Sequence, residues 1–325
     1  MTSQLVLHIG ANKTGSSAIQ AFIRDNQGLL LDAGYAVPDS DLKWSKKITG
    51  FHVFGLAELF GEGSSPERCA VVFDELMSAA PADKTVLISA ENISNQGTHR
   101  FLAQVCSRYR TKIILYIRRQ DELLTSTWQQ WYSKIETDLD AWIVKSLRTR
   151  GNWGQIIESW EQIAGKGAVT ARIYERAEMR DGNVVLDFMD CLGLGDKAGA
   201  AKLTGDEVNP SYSDVITPLV SGNRNIFRDV HDNEFYHLVG KLTGDSFAKR
   251  KRVSLISSDM RDAIMEHFRS QNERVCRTHF PGRARLFAPV DHGKYEYMSH
   301  GELHQEQLRF LTEMMFRLAQ KAIPK

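Results

Sequence analysis

Two short segments of the chain combine residue types that bind anions. The first is GANKTGSS at residues 10–17, which follows the apolar stretch at 5–9 and precedes a helical pattern. A strand, a tight turn and a helix in this order direct backbone N–H groups, a helix N-terminus and the Lys13 ammonium to one place. Such a place binds a phosphate-like anion, so we expect the chain to bind a nucleotide.

This loop is not a Walker A motif. That motif places Lys directly after its second Gly, whereas Lys13 precedes Thr14 and Gly15 here. The shorter turn suits a smaller anion than a triphosphate. The alternative interpretation is an ordinary strand-to-helix turn with a glycine and a capping serine.

The second segment is IILYIRRQDELLTS at residues 113–126, in which an apolar run ends at Arg118 and Ser126 follows eight residues later. An Arg guanidinium is a planar fork that matches phosphate oxygens, and a Ser hydroxyl adds a donor. The turn between them predicts a second anion site. Alternatively, Arg118 pairs with Asp121 or Glu122.

Both segments resemble a known family. Lys-[ST]-Gly-[ST]-[ST] after a strand resembles the 5′-phosphosulfate loop of sulfotransferases that use 3′-phosphoadenosine 5′-phosphosulfate (PAPS), and the Arg–Ser spacing resembles their 3′-phosphate site. ISAENIS at 88–94, the segment 171–194 and NPS at 209–211 extend the likeness. Over residues 1 to about 225, the chain is similar to bacterial sulfotransferase-like proteins related to carbohydrate sulfotransferases.

The resemblance implies a P-loop-type fold and assigns roles to residues of both segments. Lys13 would contact the bridging oxygen and the 5′-phosphate, and Arg118 with Ser126 would hold the 3′-phosphate. The 5′-phosphate would also contact Thr14, Gly15, Ser16 and Ser17. The chain departs from the family where Ala11-Asn12 replace a common Pro, which changes loop stiffness, and where Arg119-Gln120 replace Asn-Pro.

Sulfuryl transfer also needs a general base, for which the chain has two candidates. Glu91 follows a predicted strand, and the resemblance supports it because a Glu between the two nucleotide motifs is a common base in carbohydrate sulfotransferases. His52 is the second candidate, since a His in this interval serves some relatives. Glu91 could instead cap a helix or pair with Lys13 or Arg118. The 112–117 strand ends in Arg, not Asp, so we expect no metal ion.

Alternating strands and helices must position these residues. Apolar runs predict strands at 5–9, 85–89, 112–117 and 169–174. Helical patterns lie between them, near 16–31, 67–79, 98–108, 121–134 and 153–164. This order predicts an α/β fold with a central parallel sheet and helices on both faces. The Lys13 loop, Glu91 and Arg118 each follow a strand, so they should meet at the ligand-binding edge.

A different pattern begins near residue 197. We predict a PAPS-binding core over 1–196 and a mainly helical subdomain over 197–325 that contributes to the acceptor site. Its helices are expected near 213–229, 231–241, 257–277 and 301–320, with loops at 205–210 and 282–291. The basic run KRKR at 249–252 is either a solvated helix edge or an extra contact to an anionic group.

Composition excludes several classes of protein. Lys and Arg number 41 against 40 Asp and Glu, a net charge of +1, which argues against nucleic acid or a membrane surface as partner. Four scattered cysteines favour neither zinc nor disulfides, so we expect a cytoplasmic protein. The sequence predicts no signal peptide and no transmembrane segment. Oligomeric state is left open.

The leading hypothesis is a PAPS-dependent sulfotransferase that acts on a hydroxyl or amine of a carbohydrate or small-molecule acceptor without a metal. The second is a P-loop kinase or NTPase. Two features disfavour it: Lys13 precedes the glycine that it should follow, and no carboxylate stands at the end of the 112–117 strand to bind a metal ion. A non-catalytic nucleotide-binding protein is the third.

Overall fold

The computed structural model describes residues 4–45, 47–203, 214–243 and 253–322. The predicted loop at 205–210, the NPS turn at 209–211 and the basic run at 249–252 lie outside these residues. Their predictions therefore stay predictions.

Within the described residues, five strands form one sheet in the order β2-β3-β1-β4-β5, and every neighbouring pair is parallel. The strands are β1 Gln4–His8, β2 Tyr35–Ala36, β3 Thr85–Ser89, β4 Arg110–Ile117 and β5 Val169–Ile173. The four predicted strands are confirmed to within two residues at each end. The additional strand, β2, is two residues long and lies at the sheet edge beside β3.

Helices connect these strands and make up most of the C-terminal region. The helices are α1 Ser16–Asp25, α2 Gln27–Asp32, α3 Val53–Phe60, α4 Pro66–Ser78, α5 Ala103–Arg108, α6 Gln120–Gln130, α7 Leu139–Ser146, α8 Trp153–Ala164, α9 Val184–Cys191, α10 Ile216–Val220, α11 Glu234–Thr243, α12 Ser258–His267, α13 Arg269–His279 and α14 His300–Ala322. The predicted α/β fold class is confirmed, and β1, its loop and α1 have the strand–loop–helix order of P-loop-type folds.

Some predicted helices are shorter than expected or interrupted. The pattern near 16–31 breaks at Asn26, and the pattern near 257–277 breaks at Phe268. The expected helix near 213–229 is wrong beyond Val220, because the left-handed Gly222 (φ 67°) turns the chain there.

Both faces of the sheet are covered, which explains why its strands are almost continuously apolar. On one face, Val6 and Ile114 pack with Phe22 of α1 and Phe188 of α9. The alternate strand residues point to the other face and are also buried, and α5 and α8 contact β4 there. Burial on both faces fixes the strand register and leaves the strand ends for binding.

The chain forms two compact units. The first comprises Met1–Arg119, Asn152–Val208 and Gln271–Leu286, and it contains the sheet. The second comprises Gln120–Gly151, Asn209–Ser270 and Phe287–Lys325. The units are interleaved along the chain, whereas the predicted domains are contiguous. The division at residues 196 and 197, with its acceptor role, stays a prediction.

The second unit is helical and has its own apolar packing. Leu124 and Trp128 of α6 pack with Ile264 and Phe268, and Phe310 of α14 belongs to a separate cluster. In the part of the chain that the structure describes, no helix combines the length and apolar character needed to cross a membrane.

Candidate functional site

The β1–α1 loop presents the N-terminus of a helix at the carboxyl end of β1. Gly15 caps α1 in the left-handed conformation (φ 78°), and its carbonyl accepts from the N–H groups of Ala18 and Ile19. The amides that precede those two point out along the helix axis. The first turn of α1 carries no acidic side chain of its own, and the positive end of the helix dipole lies there. This is the geometry of an anion site.

Hydroxyl groups hold the loop in shape from inside. The buried Thr14 hydroxyl donates to the Ala11 carbonyl at 2.6 Å, and the Ser16 hydroxyl donates to the same oxygen at 3.1 Å. Ser17 lies half-buried in the first turn of α1. Lys13 at the tip has a left-handed backbone (φ 64°), which is uncommon for a residue with a side chain. The predicted roles of Thr14, Ser16 and Ser17 toward a phosphate stay predictions.

Glu91 lies against this loop. A Cβ placed on Gly10 would be 3.0 Å from both Cα and Cβ of Glu91, so only glycine allows the end of β3 to approach so closely. Burial raises the pKa of the Glu91 carboxyl, while a hydrogen bond with Ser16 and the charge of Lys13 lower it. A carboxyl with a raised pKa beside a cation is suited to proton transfer.

Arg118 reaches the same loop from the end of β4. Its Nη1 donates to the Lys13 carbonyl at 3.0 Å, and its guanidinium lies 5.8 Å from the centre of the Tyr174 ring. The Trp153 indole donates to the Arg118 carbonyl at 2.9 Å, which holds the strand end. The loop therefore has a second cation beside Lys13.

The structure brings three predicted site residues together at one edge of the sheet. Lys13, Glu91 and Arg118 follow β1, β3 and β4 respectively, and each contacts the loop or belongs to it. Two cationic residues, a helix N-terminus and a carboxyl group therefore lie at one loop, and their predicted binding of an anion stays a prediction.

His52 has a different environment from the one expected of a base. It is completely buried; its Nε2 lies 3.0 Å from the Pro38 carbonyl oxygen, and its Nδ1 lies 3.1 Å from both the amide nitrogen and the carbonyl oxygen of Ser89. Burial lowers the pKa of His52, which disfavours the protonated ring. Because the backbone occupies both ring nitrogens, this geometry favours Glu91 over His52 as the base.

Ser126 belongs to the second compact unit, where it is buried in α6. Its hydroxyl donates to the Glu122 carbonyl at 2.6 Å. The predicted pairing of Ser126 with Arg118 at a 3′-phosphate stays a prediction.

Two residues that border the site were not predicted. Tyr174 follows β5 directly, and a Cβ on Gly15 would lie 2.9 Å from its ring, so the loop packs closely on Tyr174. The sequence placed Tyr174 inside the predicted strand of residues 169–174, so the rule that indicated Glu91 and Arg118 did not single it out. Trp153 had no signal either, because its bond to Arg118 joins distant parts of the sequence.

Among the residues that the structure describes, no group of three or more His, Cys, Asp or Glu is arranged to hold a metal ion. The expectation that no metal takes part stays a prediction.

An α/β architecture of P-loop type, with a helix N-terminus at the carboxyl end of β1, is the class that the fold defines. No protein-family model matches the chain. An uncharacterized protein of Archaeoglobus fulgidus is 28% identical over 176 residues, which are 52% of this chain and 46% of that protein. The match thus spans less than half the length of that relative.

Two solved structures are similar to the chain. A sulfotransferase from Alicyclobacillus acidocaldarius has a TM-score of 0.44 and 13% identity, covering 86% of this chain and 96% of its own. Mouse sulfotransferase SULT7A1 complexed with PAP has a TM-score of 0.36 and 16% identity, and the match covers 81% of this chain and 88% of the mouse protein. At this degree of similarity, neither likeness bears on activity.

Proposed function

We propose that the chain is a sulfotransferase that moves a sulfuryl group from PAPS to a hydroxyl or amine of a carbohydrate or small-molecule acceptor. The observation that carries this proposal is the convergence of Lys13, Arg118 and Glu91 on the β1–α1 loop. A cytoplasmic location is part of the proposal.

The two cations and the helix N-terminus suit a donor that carries several negative charges. The amides at the start of α1 would hold the 5′-phosphate, and Arg118 would supply a fork for a second phosphate. Lys13 would lie beside the oxygen that bridges phosphorus and sulfur, where negative charge develops as the bond breaks. Catalysis of this kind depends on positioning and on electrostatic stabilisation.

Glu91 would complete the reaction as general base. The acceptor oxygen attacks sulfur in line with the bridging oxygen; its bond to sulfur forms as the sulfur–bridging oxygen bond breaks. The acceptor proton moves to the Glu91 carboxylate, and the leaving phosphate keeps the electron pair of the broken bond. Burial, which raises the pKa of Glu91, makes its carboxylate a stronger base than a solvated one.

A phosphoryl-transfer function has less support from these residues. A P-loop kinase needs a Lys directly after its second Gly and a carboxylate for Mg²⁺, whereas Lys13 precedes Gly15 and β4 ends next to Arg118. In place of a Mg²⁺ ion, the groups near the loop that could neutralise phosphate charge are the side chains of Lys13 and Arg118.

The test is transfer of radiolabelled sulfate from PAPS to a panel of sugars, phenols and amines, with a chelator present. Wild-type protein and an exposed control, Lys43→Ala, should transfer label. Lys13→Ala should lose transfer by at least 100-fold, because a transition-state charge loses its partner. The proposal would be contradicted if Lys13→Ala and Lys43→Ala transferred sulfate equally well. Mg²⁺-dependent ATP turnover with no sulfate transfer would also contradict it.

A further inference from the structure

The last helix, α14, exposes a cluster of large apolar side chains. Among the residues that the structure describes, fourteen large apolar side chains are exposed, and five of these lie on α14. The five, which we call the α14 stripe, are Leu308, Leu311, Met315, Phe316 and Leu318, with exposed fractions from 42% to 71%. Single exposed apolar residues are ordinary on a protein surface, whereas such a cluster indicates a surface that binds another apolar surface.

A different face of α14 anchors the helix in its own compact unit. Phe310 and Met314 are buried with Ile216 of α10 and Val239 of α11. Gln307, one turn before Phe310, is buried as well. The attachment of α14 therefore does not use the α14 stripe, which stays in contact with water.

The α14 stripe has the spacing of a coiled-coil contact. Four of its members and Ala322 recur at alternating intervals of three and four residues along the helix. This repeat lines up apolar side chains so that a second helix can cover them with knobs-into-holes packing. The spacing therefore predicts a helix, rather than a loop or a small molecule, as the covering element.

The residues beside the α14 stripe favour an identical helix as that covering element. Gln305, Thr312 and Ala319, which occupy one flank, are exposed and uncharged. Charges at such flanking positions select a different partner helix, and like charges there repel an identical one. Uncharged flanks leave the pairing of two identical helices unopposed.

The exposed apolar area is large enough for a dimer. At about 200 Å² for a fully exposed side chain of this size, the α14 stripe leaves roughly 550 Å² in water. Two copies packed on each other would bury about 1,100 Å², which reaches the roughly 1,000 Å² that a specific interface needs.

A membrane surface suits α14 less well than a second copy. Helices that lie on membranes are rich in Lys and Arg, whereas α14 has three basic and three acidic residues apart from its histidines. Two of the three basic side chains are paired within the helix, Arg309 with Glu306 and Arg317 with Glu313. Lipid phosphates would therefore find little positive charge on α14.

We propose that the chain forms a two-fold symmetric dimer in which the α14 stripes of two copies pack against each other. A two-fold interface is self-complementary, so one stripe supplies both halves of the contact. Each α14 then lies between α10 and α11 of its own copy and α14 of the second copy, as in a helix bundle. This inference goes beyond the proposed function and does not depend on it.

Sedimentation equilibrium of the full chain over a range of concentrations tests the inference. Because the buried area is near the lower limit for a specific interface, the wild-type dimer should dissociate in the micromolar range. Met315→Lys should weaken dimerisation at least 100-fold, because each copy would bring a charge into an apolar contact. Val71→Lys, which adds the same charge at an exposed apolar residue outside α14, should dimerise as wild type does. A monomeric wild type, or wild-type dimerisation of Met315→Lys, would overturn the inference.

A milder substitution separates the interface from the fold of the monomer. Met315→Ala should weaken dimerisation at least 5-fold, and it should melt as wild type does at dilutions where both proteins are monomeric. A lower melting temperature of the monomer would show that Met315 supports the fold, which would overturn its place in the interface. Vesicles of phosphatidylcholine and phosphatidylglycerol provide the last comparison. Binding to them that is lost in Met315→Ala would assign the α14 stripe to a membrane and would also overturn the inference.

Discussion

Lys13 carries its charge on a backbone conformation that residues with a side chain rarely adopt. Its φ of 64° costs about 1–2 kcal/mol relative to the right-handed region. Strain of this kind persists where the surrounding structure imposes it, and it is common at functional sites. The strain is consistent with a lysine held in place for its ammonium group.

We predict that Lys13→Gly loses sulfate transfer but keeps its stability. Glycine relieves the left-handed strain, and its greater freedom in the unfolded chain offsets part of that gain, so the free energy of unfolding should stay within about 1 kcal/mol of wild type. Urea denaturation measures it. A larger loss of stability would show that the Lys13 side chain is a structural element.

Glu91 should show a conflict between stability and activity. Because burial raises the pKa of Glu91, the charged carboxylate is less stable in the folded protein than in the solvated, unfolded chain. Glu91→Gln should therefore melt at a higher temperature than wild type at pH 7. It should also lower kcat by about 100-fold or more, since a general base contributes about 10²–10⁴-fold.

Calorimetry of the bisphosphate provides the control for Glu91→Gln, because nucleotide affinity should change less than 3-fold. The exposed substitution Glu58→Gln should alter neither kcat nor melting. Unchanged kcat in Glu91→Gln would remove Glu91 from the mechanism.

At the scale of elements, the site depends on how closely the loop packs on its neighbours. Gly15 and Gly63 have nearly the same φ, 78° and 79°. A Cβ on Gly15 would meet Tyr174 at 2.9 Å and Val184 at 3.0 Å, whereas a Cβ on Gly63 would meet nothing within 4 Å. The two glycines therefore separate backbone strain from loss of space.

We predict that Gly63→Ala costs about 1 kcal/mol of stability through strain and leaves bisphosphate affinity unchanged. Gly15→Ala should cost more, and it should weaken bisphosphate binding at least 10-fold because the loop must shift away from Tyr174. Thermal melts with calorimetry check both variants. Equal effects of the two substitutions would show that loop packing is unimportant.

Two buried histidines secure the end of β3, and they make it sensitive to acid. The Nδ1 of His8 lies 2.8 Å from the Ser89 hydroxyl, and His52 bonds the backbone of the same residue. Burial lowers the pKa of His8 from 6.5 to about 3, and it also lowers the pKa of His52. Below pH 6.5 the unfolded chain therefore binds protons that the folded chain does not.

We predict that stability falls as the pH drops below 6.5, by about 1.4 kcal/mol per pH unit from His8 alone. The loss continues until the pH reaches the folded pKa. His8→Leu should show a shallower slope between pH 6.5 and 5 in urea denaturation. An unchanged slope would show that His8 titrates alike in both states.

Local patterns predicted the elements well, and long-range contacts explain the differences. The strands of residues 4–8 and 110–117 were evident because both faces are buried and the runs are apolar. β2 was missed because two residues carry no periodicity, and only pairing with β3 makes them a strand. His52 was the second candidate for the base, and its bonds to Pro38 and Ser89 could not be read from neighbouring residues because they join distant segments.

At the scale of the whole chain, sequence and structure divide the molecule differently. The helical composition after residue 197 suggested a contiguous second domain, whereas α6 and α7 belong to the helical unit and α13 lies mostly in the sheet-bearing unit. Compactness depends on contacts between distant segments, which composition does not encode. Lys13, Glu91 and Arg118 were nevertheless predictable together, because the ends of parallel strands share one edge.

The central claim is that the loop and Arg118 bind one nucleotide with phosphates at both its 3′ and 5′ positions. Calorimetry of the full chain, without metal, should compare adenosine 3′,5′-bisphosphate with adenosine 5′-phosphate. We expect micromolar binding of the bisphosphate and at least 10-fold weaker binding of the monophosphate. Arg118→Ala should abolish this difference, and Arg110→Ala, at the opposite end of β4, should preserve it. No detectable binding of the bisphosphate, or equal losses for both ligands in Arg118→Ala, would contradict the account.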